Sequence, residues 1–135
     1  MRLTKQQIDT ITTTVQAVVG ADLRLLMVFG SCAAGTARPD SDLDIALDAN
    51  QTLSPMQHMA LIGALAEATG RPIDLVDLRT VGEPLLGQIL QHGQRIAGSD
   101  TVQAQYLTRH LLDMADFVPL QQRILQERRT AWIGQ

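Results

Sequence analysis

The chain has few aromatic residues and no excess of positive charge. Its 135 residues include two Phe, one Tyr and one Trp, and the formal net charge is -3. Proteins that hold single-stranded nucleic acid stack bases on aromatic side chains, and proteins that hold a duplex neutralise its phosphates with a basic face. We therefore expect no direct binding of nucleic acid.

The sequence is equally poor in cysteine and in long apolar runs. Cys32 is the single cysteine, so an internal disulfide is excluded and a reducing compartment fits. The first residues lack the apolar core of a signal peptide, and no run approaches the length of a membrane span. We expect a soluble cytoplasmic protein without a membrane partner, in which Cys32 is a small packing residue and not a nucleophile.

The apolar residues that are present alternate between helical and strand periods. Helical stripes at 4–19, 54–70 and 81–91 are separated by apolar or alternating runs at 23–29, 43–47, 72–78 and 95–97, with a short helix after the first run. Thr4 and Ser54 are the expected N-caps of the first two long helices. This order predicts a single α/β domain.

The residues after this core have a helical pattern from Asp100 to about Trp132. One face would carry the apolar side chains, which are Ala104, Leu107, Leu111, Met114, Ala115 and Val118. Pro119 is expected to kink or split the segment. We therefore predict one domain over residues 1–135, with a core at about 23–97 and C-terminal helices at about 100–132.

Two carboxylates stand two residues apart in the second strand. Asp42 and Asp44 would share one face, with Leu43 and Ile45 on the other. Neighbouring anions repel, and the arrangement becomes favourable when a divalent cation lies between them; Mg²⁺ takes one or two carboxylates and completes its shell with water and phosphate. A solvent-exposed face of an outer strand is the simpler alternative.

A phosphate site and a third carboxylate are placed to join this pair. Gly30–Ser31 follows a strand and opens a short helix, where free backbone N–H groups and a hydroxyl can bind an anion. Asp74 lies among apolar neighbours on a strand that can pair beside Asp42 and Asp44. Asp77 has the opposite parity and should face the other side. Together these parts suit phosphoryl or nucleotidyl transfer.

The stretch GSCAAGTARPDSDLDIAL resembles the G-S-x(10)-D-x-D signature of the DNA polymerase β-like nucleotidyltransferases. The spacing from Gly30–Ser31 to Asp42 and Asp44 is the one those proteins use, and Asp74 fits their third carboxylate. The surrounding residues make the match similar to the minimal nucleotidyltransferase (MNT) branch, in particular the MntA-type antitoxins of HEPN–MNT toxin–antitoxin pairs. The resemblance covers roughly residues 23 to 97.

This resemblance implies a polymerase β-like fold, a small mixed sheet backed by helices, that uses ATP and two Mg²⁺ ions. Asp42 and Asp44 would hold the metals, and Asp74 would complete the second metal site or deprotonate the acceptor. Gly30–Ser31 would hold the β- and γ-phosphates, and Ser41 is either a further phosphate contact or a turn residue. In MntA-type antitoxins the acceptor is a tyrosine of the HEPN ribonuclease, with which they form a complex, and AMP there silences the toxin.

Two other functions stay open at this point. A catalytically idle antitoxin would block its toxin by contact alone. An adenylyltransferase of a small molecule such as an aminoglycoside usually carries an additional helical domain, and only about 38 residues follow Ala97 here. The sequence does not name the acceptor.

Several side chains have two readings. Arg38 either contacts the triphosphate or faces solvent. For Tyr106, packing in the core is favoured over a role as a site of self-modification. The three histidines lack metal-ligand spacing, and surface or helix-end positions explain His58, His92 and His110. The C-terminal Arg residues and Trp132 belong to a final packed helix or to a partner contact.

Overall fold

The structure is a computed structural model that describes residues 3–38 and 40–115. Helices and strands follow one another in the predicted order. They are α1 (Lys5–Val19), β1 (Leu23–Phe29), α2 (Gly30–Ala34), β2 (Leu43–Ala49), α3 (Pro55–Thr69), β3 (Ile73–Asp77), α4 (Leu85–His92), β4 (Gln94–Gly98) and α5 (100–115). The predicted kink at Pro119, Val118 and the C-terminal Arg/Trp segment lie outside the described residues.

Local sequence signals explain most of the helix boundaries. Thr4 and Ser54 both form capping boxes, in which the side chain of the cap and a glutamine three residues later satisfy each other's backbone N–H groups. The start of α4 was predicted at Val81 and is wrong, since the helix begins at Leu85. Pro84 occupies its N-cap, where a residue without an N–H costs no helical hydrogen bond.

The four strands form one mixed sheet in the order β3-β2-β1-β4. β1 pairs antiparallel with β2 and with β4, whereas β2 pairs parallel with β3. The parallel pair is possible because α3 crosses over between its two strands. β4 is the edge strand that the sequence predicted.

Each face of the sheet is covered by its own helices. The core on one side includes Ile11 and Val15 of α1 and Leu61 and Leu65 of α3, packed on alternate strand residues such as Ile45. The opposite face carries Leu25, Met27 and Ala46 under α4 and α5. No helix of the described part of the chain is long and apolar enough to span a bilayer.

The apolar residues that the sequence places on one face of α5 do not pack on the sheet. The side chains that contact the sheet and α4 are polar for the most part: Tyr106 donates to Asp48, Arg109 donates to the carbonyl oxygens of Leu78 and Val81, and His110 pairs with Glu83. Because these hydrogen bonds, with buried Val102, set the rotation of the helix, its predicted face turns outward. Leu107, Leu111 and Met114 are 45%, 59% and 40% exposed.

Candidate active site

The sheet register brings two carboxylates together. Asp44 of β2 pairs with Asp74 of β3 on one side and with Phe29 of β1 on the other. Paired residues of adjacent strands point to the same face, so the predicted meeting of Asp44 with Asp74 is confirmed. Asp77 points to the opposite face, as predicted, and its carboxylate accepts a hydrogen bond of 2.9 Å from the backbone of Leu53.

The electrostatics of Asp44 reflect this crowding. Partial burial, and then the negative charges of Asp74 and Asp42, raise the pKa of Asp44 from 3.8 to about 6. A hydrogen bond to Asp74, which the protonated carboxyl can make, acts in the same direction. The site therefore favours a proton or another positive charge beside Asp44.

Gly30 makes the close approach at the end of β1 possible. It has φ +69° at the start of α2, a conformation that side-chain-bearing residues rarely adopt. A Cβ at this position would overlap Asp44 Oδ2 and lie 3.0 Å from Asp44 Cγ. The backbone that begins α2 thus lies directly against the carboxyl of Asp44, next to Ser31.

An open cleft of about 630 Å³ contains most of the predicted site. It joins Gly30–Ser31 to Asp44 and Asp74. Its lining residues are Phe29, Gly30, Ser31, Ala34, Thr36, Asp44, Asp74, Leu85, Gln88 and His92. Asp42 does not line it. That residue is exposed immediately before β2, and its negative charge contributes to the raised pKa of Asp44.

The loop that carries Asp42 is held by a residue that the sequence did not single out for this role. Arg71 Nη1 donates to the carbonyl oxygens of Arg38 at 3.0 Å and of Ser41 at 3.2 Å, and lies 3.8 Å from the buried Cys32 Sγ. The Ser41 hydroxyl accepts a 2.7 Å hydrogen bond from the Arg38 N–H, which is turn chemistry. A contact of Ser41 with nucleotide stays a prediction, and the Arg38 residue is exposed.

Helix α4 supplies a wall of the cleft that the sequence reasoning missed. Leu85, Gln88 and His92 line it, three and four residues apart on one helical face. His92 is the last residue of α4, so the predicted helix-end position is confirmed. No local sequence motif indicates that it lines the cleft. The surface expectation is wrong for His110, which is 8% exposed and lies 2.6 Å from Glu83 Oε1; His58 is half-buried on α3.

The carboxylates suit Mg²⁺ bound jointly with a nucleotide. Across residues 3–38 and 40–115, no three His, Cys, Asp or Glu side chains form a cluster that could hold a metal ion. Mg²⁺ does not need one, because one or two carboxylates with water and phosphate oxygens complete its octahedron. Asp44 and Asp74 provide such a pair, and burial together with the negative charges of Asp74 and Asp42 raises the pKa of Asp44.

The sequence of the core matches a known family. A model of the family described as polymerase beta, nucleotidyltransferase, matches residues 8–102. The chain belongs to this family. The matched region contains all four strands and every residue that lines the cleft, so the three aspartates and Gly30–Ser31 all lie within it.

This nucleotidyltransferase is similar to proteins of toxin–antitoxin systems. It is 38% identical over 77 residues to "Protein adenylyltransferase MntA" of Shewanella oneidensis, and the match covers 57% of this chain and 55% of the relative. The aligned part thus spans about half the length of that curated relative.

Solved structures extend the similarity over most of the chain. A toxin–antitoxin structure with AMP-PNP is 27% identical, with a TM-score of 0.77, and the match covers 89% of this chain and 96% of that one. A second match is to the complex of tri-AMPylated Shewanella oneidensis HEPN toxin with MNT antitoxin, with a TM-score of 0.74 at 24% identity. This match covers 91% of this chain and 96% of that one, and it supports the fold.

Proposed function

We propose that this nucleotidyltransferase is an antitoxin that transfers AMP from ATP to a tyrosine of a cognate HEPN ribonuclease toxin, with Mg²⁺ as cofactor. The observation that carries the proposal is the register of Asp44 with Asp74 beside Gly30–Ser31. The similarity to a protein adenylyltransferase and to a toxin–antitoxin structure with AMP-PNP supports a protein acceptor and an adenine nucleotide.

Each part of the cleft has a binding role in this proposal. Asp42 and Asp44 hold the metal ions with Asp74, and Mg²⁺ supplies charge neutralisation of the triphosphate when bound. The backbone N–H groups that begin α2 and the Ser31 hydroxyl donate to the β- and γ-phosphates. Asp42 does not line the cleft; it lies two residues before Asp44, on a loop held by Arg71.

The chemical step is an in-line displacement. The tyrosine oxygen forms a bond to the α-phosphorus while the bond to the pyrophosphate oxygen breaks, and Asp74 accepts the proton of the tyrosine hydroxyl. Asp74 suits this role because it is exposed at the cleft and beside Asp44. The protein contributes position and charge, since phosphoryl chemistry needs little else from the side chains.

Transfer of label from α-³²P-ATP to the purified toxin tests the proposal. We expect labelled toxin and loss of its ribonuclease activity with the wild-type protein and Mg²⁺, and no label without Mg²⁺. The double variant Asp42→Asn with Asp44→Asn should reduce labelling by at least about a thousandfold, as loss of a principal charge-stabilising contact does. Asp9→Asn, an exposed acid on α1, is the matched control.

The same variants separate the alternatives. A double variant that still neutralises the toxin, without labelling it, would identify an antitoxin that acts by binding alone. Label that appears on a small acceptor such as an aminoglycoside and never on the toxin would instead identify a small-molecule adenylyltransferase.

A further inference from the structure

The cleft has two carboxylates and one side chain that can carry positive charge. Among its described lining residues, Asp44 and Asp74 are the acids, and no Lys or Arg is present. His92 is the remaining ionisable residue of the lining. A nucleoside triphosphate brings about three to four negative charges into such a site, mostly on its β- and γ-phosphates. A cationic or hydrogen-bond-donating side chain there would stabilise the bound phosphates.

His92 lines the same cleft as Gly30 and Ser31, the residues proposed to bind the β- and γ-phosphates. Gln94 pairs with Val28 in the antiparallel ladder of β4 with β1. His92 and Gly30 both lie just beyond this ladder, His92 two residues before Gln94 and Gly30 two residues after Val28. A Cβ on Gly93 would lie 3.3 Å from the carbonyl oxygen of Val28, which shows how closely the two segments approach.

Within the described part of the chain, the His92 side chain makes no hydrogen bond or ion pair, and the residue is exposed. His110 differs in both respects, because it is buried and paired with Glu83. The His92 imidazole is therefore available to a ligand. Its place at the C-terminal end of α4 also suits positive charge, since the helix dipole is negative there.

We propose that His92 binds the β- and γ-phosphates of the nucleotide and stabilises the pyrophosphate as it leaves. This inference rests on the proposed function. As the tyrosine oxygen bonds to the α-phosphorus and the bond to the bridging oxygen breaks, the negative charge gained by pyrophosphate is met by an N–H of His92. The tyrosine proton goes to Asp74, so the balance of the reaction is unchanged.

Ligand binding without toxin tests this inference directly. We measure binding of AMP-PNP, pyrophosphate and AMP, each with Mg²⁺, by isothermal titration calorimetry. A hydrogen bond to a charged group is worth enough to change affinity by tenfold or more, so His92→Gln should weaken AMP-PNP and pyrophosphate about tenfold. AMP lacks the two terminal phosphates, and its affinity should not change. His92→Lys, which keeps a cation, should restore most of the pyrophosphate affinity.

Gln91→Ala provides the matched control, because Gln91 is the exposed neighbour on α4 that does not line the cleft. It should bind all three ligands like the wild type. Circular dichroism should be unchanged in every variant, and thermal unfolding should change little, since His92 loses no hydrogen bond among the described residues and at most a weak interaction with the helix dipole. In AMP transfer, His92→Gln should lower kcat/KM for ATP about tenfold, with Gln91→Ala unaffected.

The outcomes distinguish this inference from the proposed function. Equal weakening of AMP and AMP-PNP by His92→Gln would place His92 at the nucleoside and overturn the inference, as would unchanged binding of pyrophosphate. If the toxin is labelled but His92→Gln binds like the wild type, the function stands and the inference fails. If His92→Gln shows the expected binding pattern but no toxin is ever labelled, the inference stands and the function fails.

Discussion

The raised pKa of Asp44 is the most direct physical test of the site, and Asp74→Asn is the perturbation. Burial is the largest cause of the rise from 3.8 to about 6, followed by the charges of Asp74 and Asp42. Replacing Asp74 by Asn removes one negative charge and leaves the burial. We therefore expect the pKa of Asp44 to fall in the variant to a value between 3.8 and 6.

The shift also predicts how stability depends on pH. Between pH 3.8 and about 6 the folded protein retains a proton on Asp44 that the unfolded chain has released. The free energy of unfolding therefore decreases as the pH rises through this window. The rise of the Asp44 pKa from 3.8 to about 6 corresponds to a contribution of at most about 3 kcal/mol to the free energy of unfolding. Asp44 is only half-buried, so solvent screening reduces that contribution.

The assay is a carbon-13 NMR titration of the aspartate carboxyl groups. Wild-type Asp44 should titrate near pH 6, Asp74→Asn should shift it downward, and the exposed Asp9→Asn should leave it unchanged. Urea unfolding at pH 4 and pH 7 measures the linked stability, whose decrease with pH should be smaller in Asp74→Asn. Titration of wild-type Asp44 near 3.8, or at the same pH in both proteins, would refute the reasoning about the paired carboxyls.

Adding Mg²⁺ with AMP-PNP extends the same titration. A divalent cation competes with the proton, so the apparent pKa of Asp44 should fall below 6 when the ion binds. The apparent affinity for Mg²⁺ should correspondingly weaken as the pH is lowered below about 6. An Asp44 titration that Mg²⁺ with AMP-PNP does not move would contradict the metal-binding role proposed for this carboxyl.

Three further substitutions, one of them with a matched control, test the surrounding structure. Gly30→Ala should abolish AMP-PNP binding in calorimetry, whereas Gly20→Ala, with a similar φ of +70° but open space around it, should only lower stability by about 1–2 kcal/mol. Tyr106→Phe removes a 2.8 Å hydrogen bond to the fully buried Asp48 and should cost about 1–3 kcal/mol in urea unfolding; a loss below about 0.5 kcal/mol would contradict this. Arg71→Gln removes the donor to two loop carbonyls and should raise the Mg²⁺ concentration needed for AMP transfer, with an unchanged requirement as the contrary result.

The order of helices and strands could be predicted because each signal is local. Capping residues, a proline near the start of a helix and apolar periodicity act within a few residues, and they mark α1 and α3 closely. The parity within β3 is also local and puts Asp74 and Asp77 on opposite faces, whereas the pairing of Asp44 with Asp74 requires the parallel register of β2 with β3.

The packing of α5 could not be predicted from its sequence. Apolar periodicity alone favours the face of Leu107, Leu111 and Met114, yet these side chains are exposed. The helix instead follows hydrogen-bond partners far away in the chain, and Tyr106 bonds to Asp48, 58 residues earlier. Tyr106 gives the fully buried Asp48 a 2.8 Å hydrogen bond, whereas Arg24 and Arg79 approach its carboxylate only to 3.6 Å. A buried charge needs such hydrogen bonds, so this contact favours the face of the helix that carries Tyr106.

The sequence by itself determined the family signature, the alternation of helices and strands, and the face on which each aspartate lies, because all of these depend on spacing along one segment. Only the tertiary structure decided that His92 enters the cleft, that Arg71 supports the loop of Asp42, and that Asp44 lies against Gly30. These relations join segments that meet through strand pairing and helix packing. Their residues carry no local mark, since any exposed histidine or arginine would look the same until the sheet has brought its neighbours together.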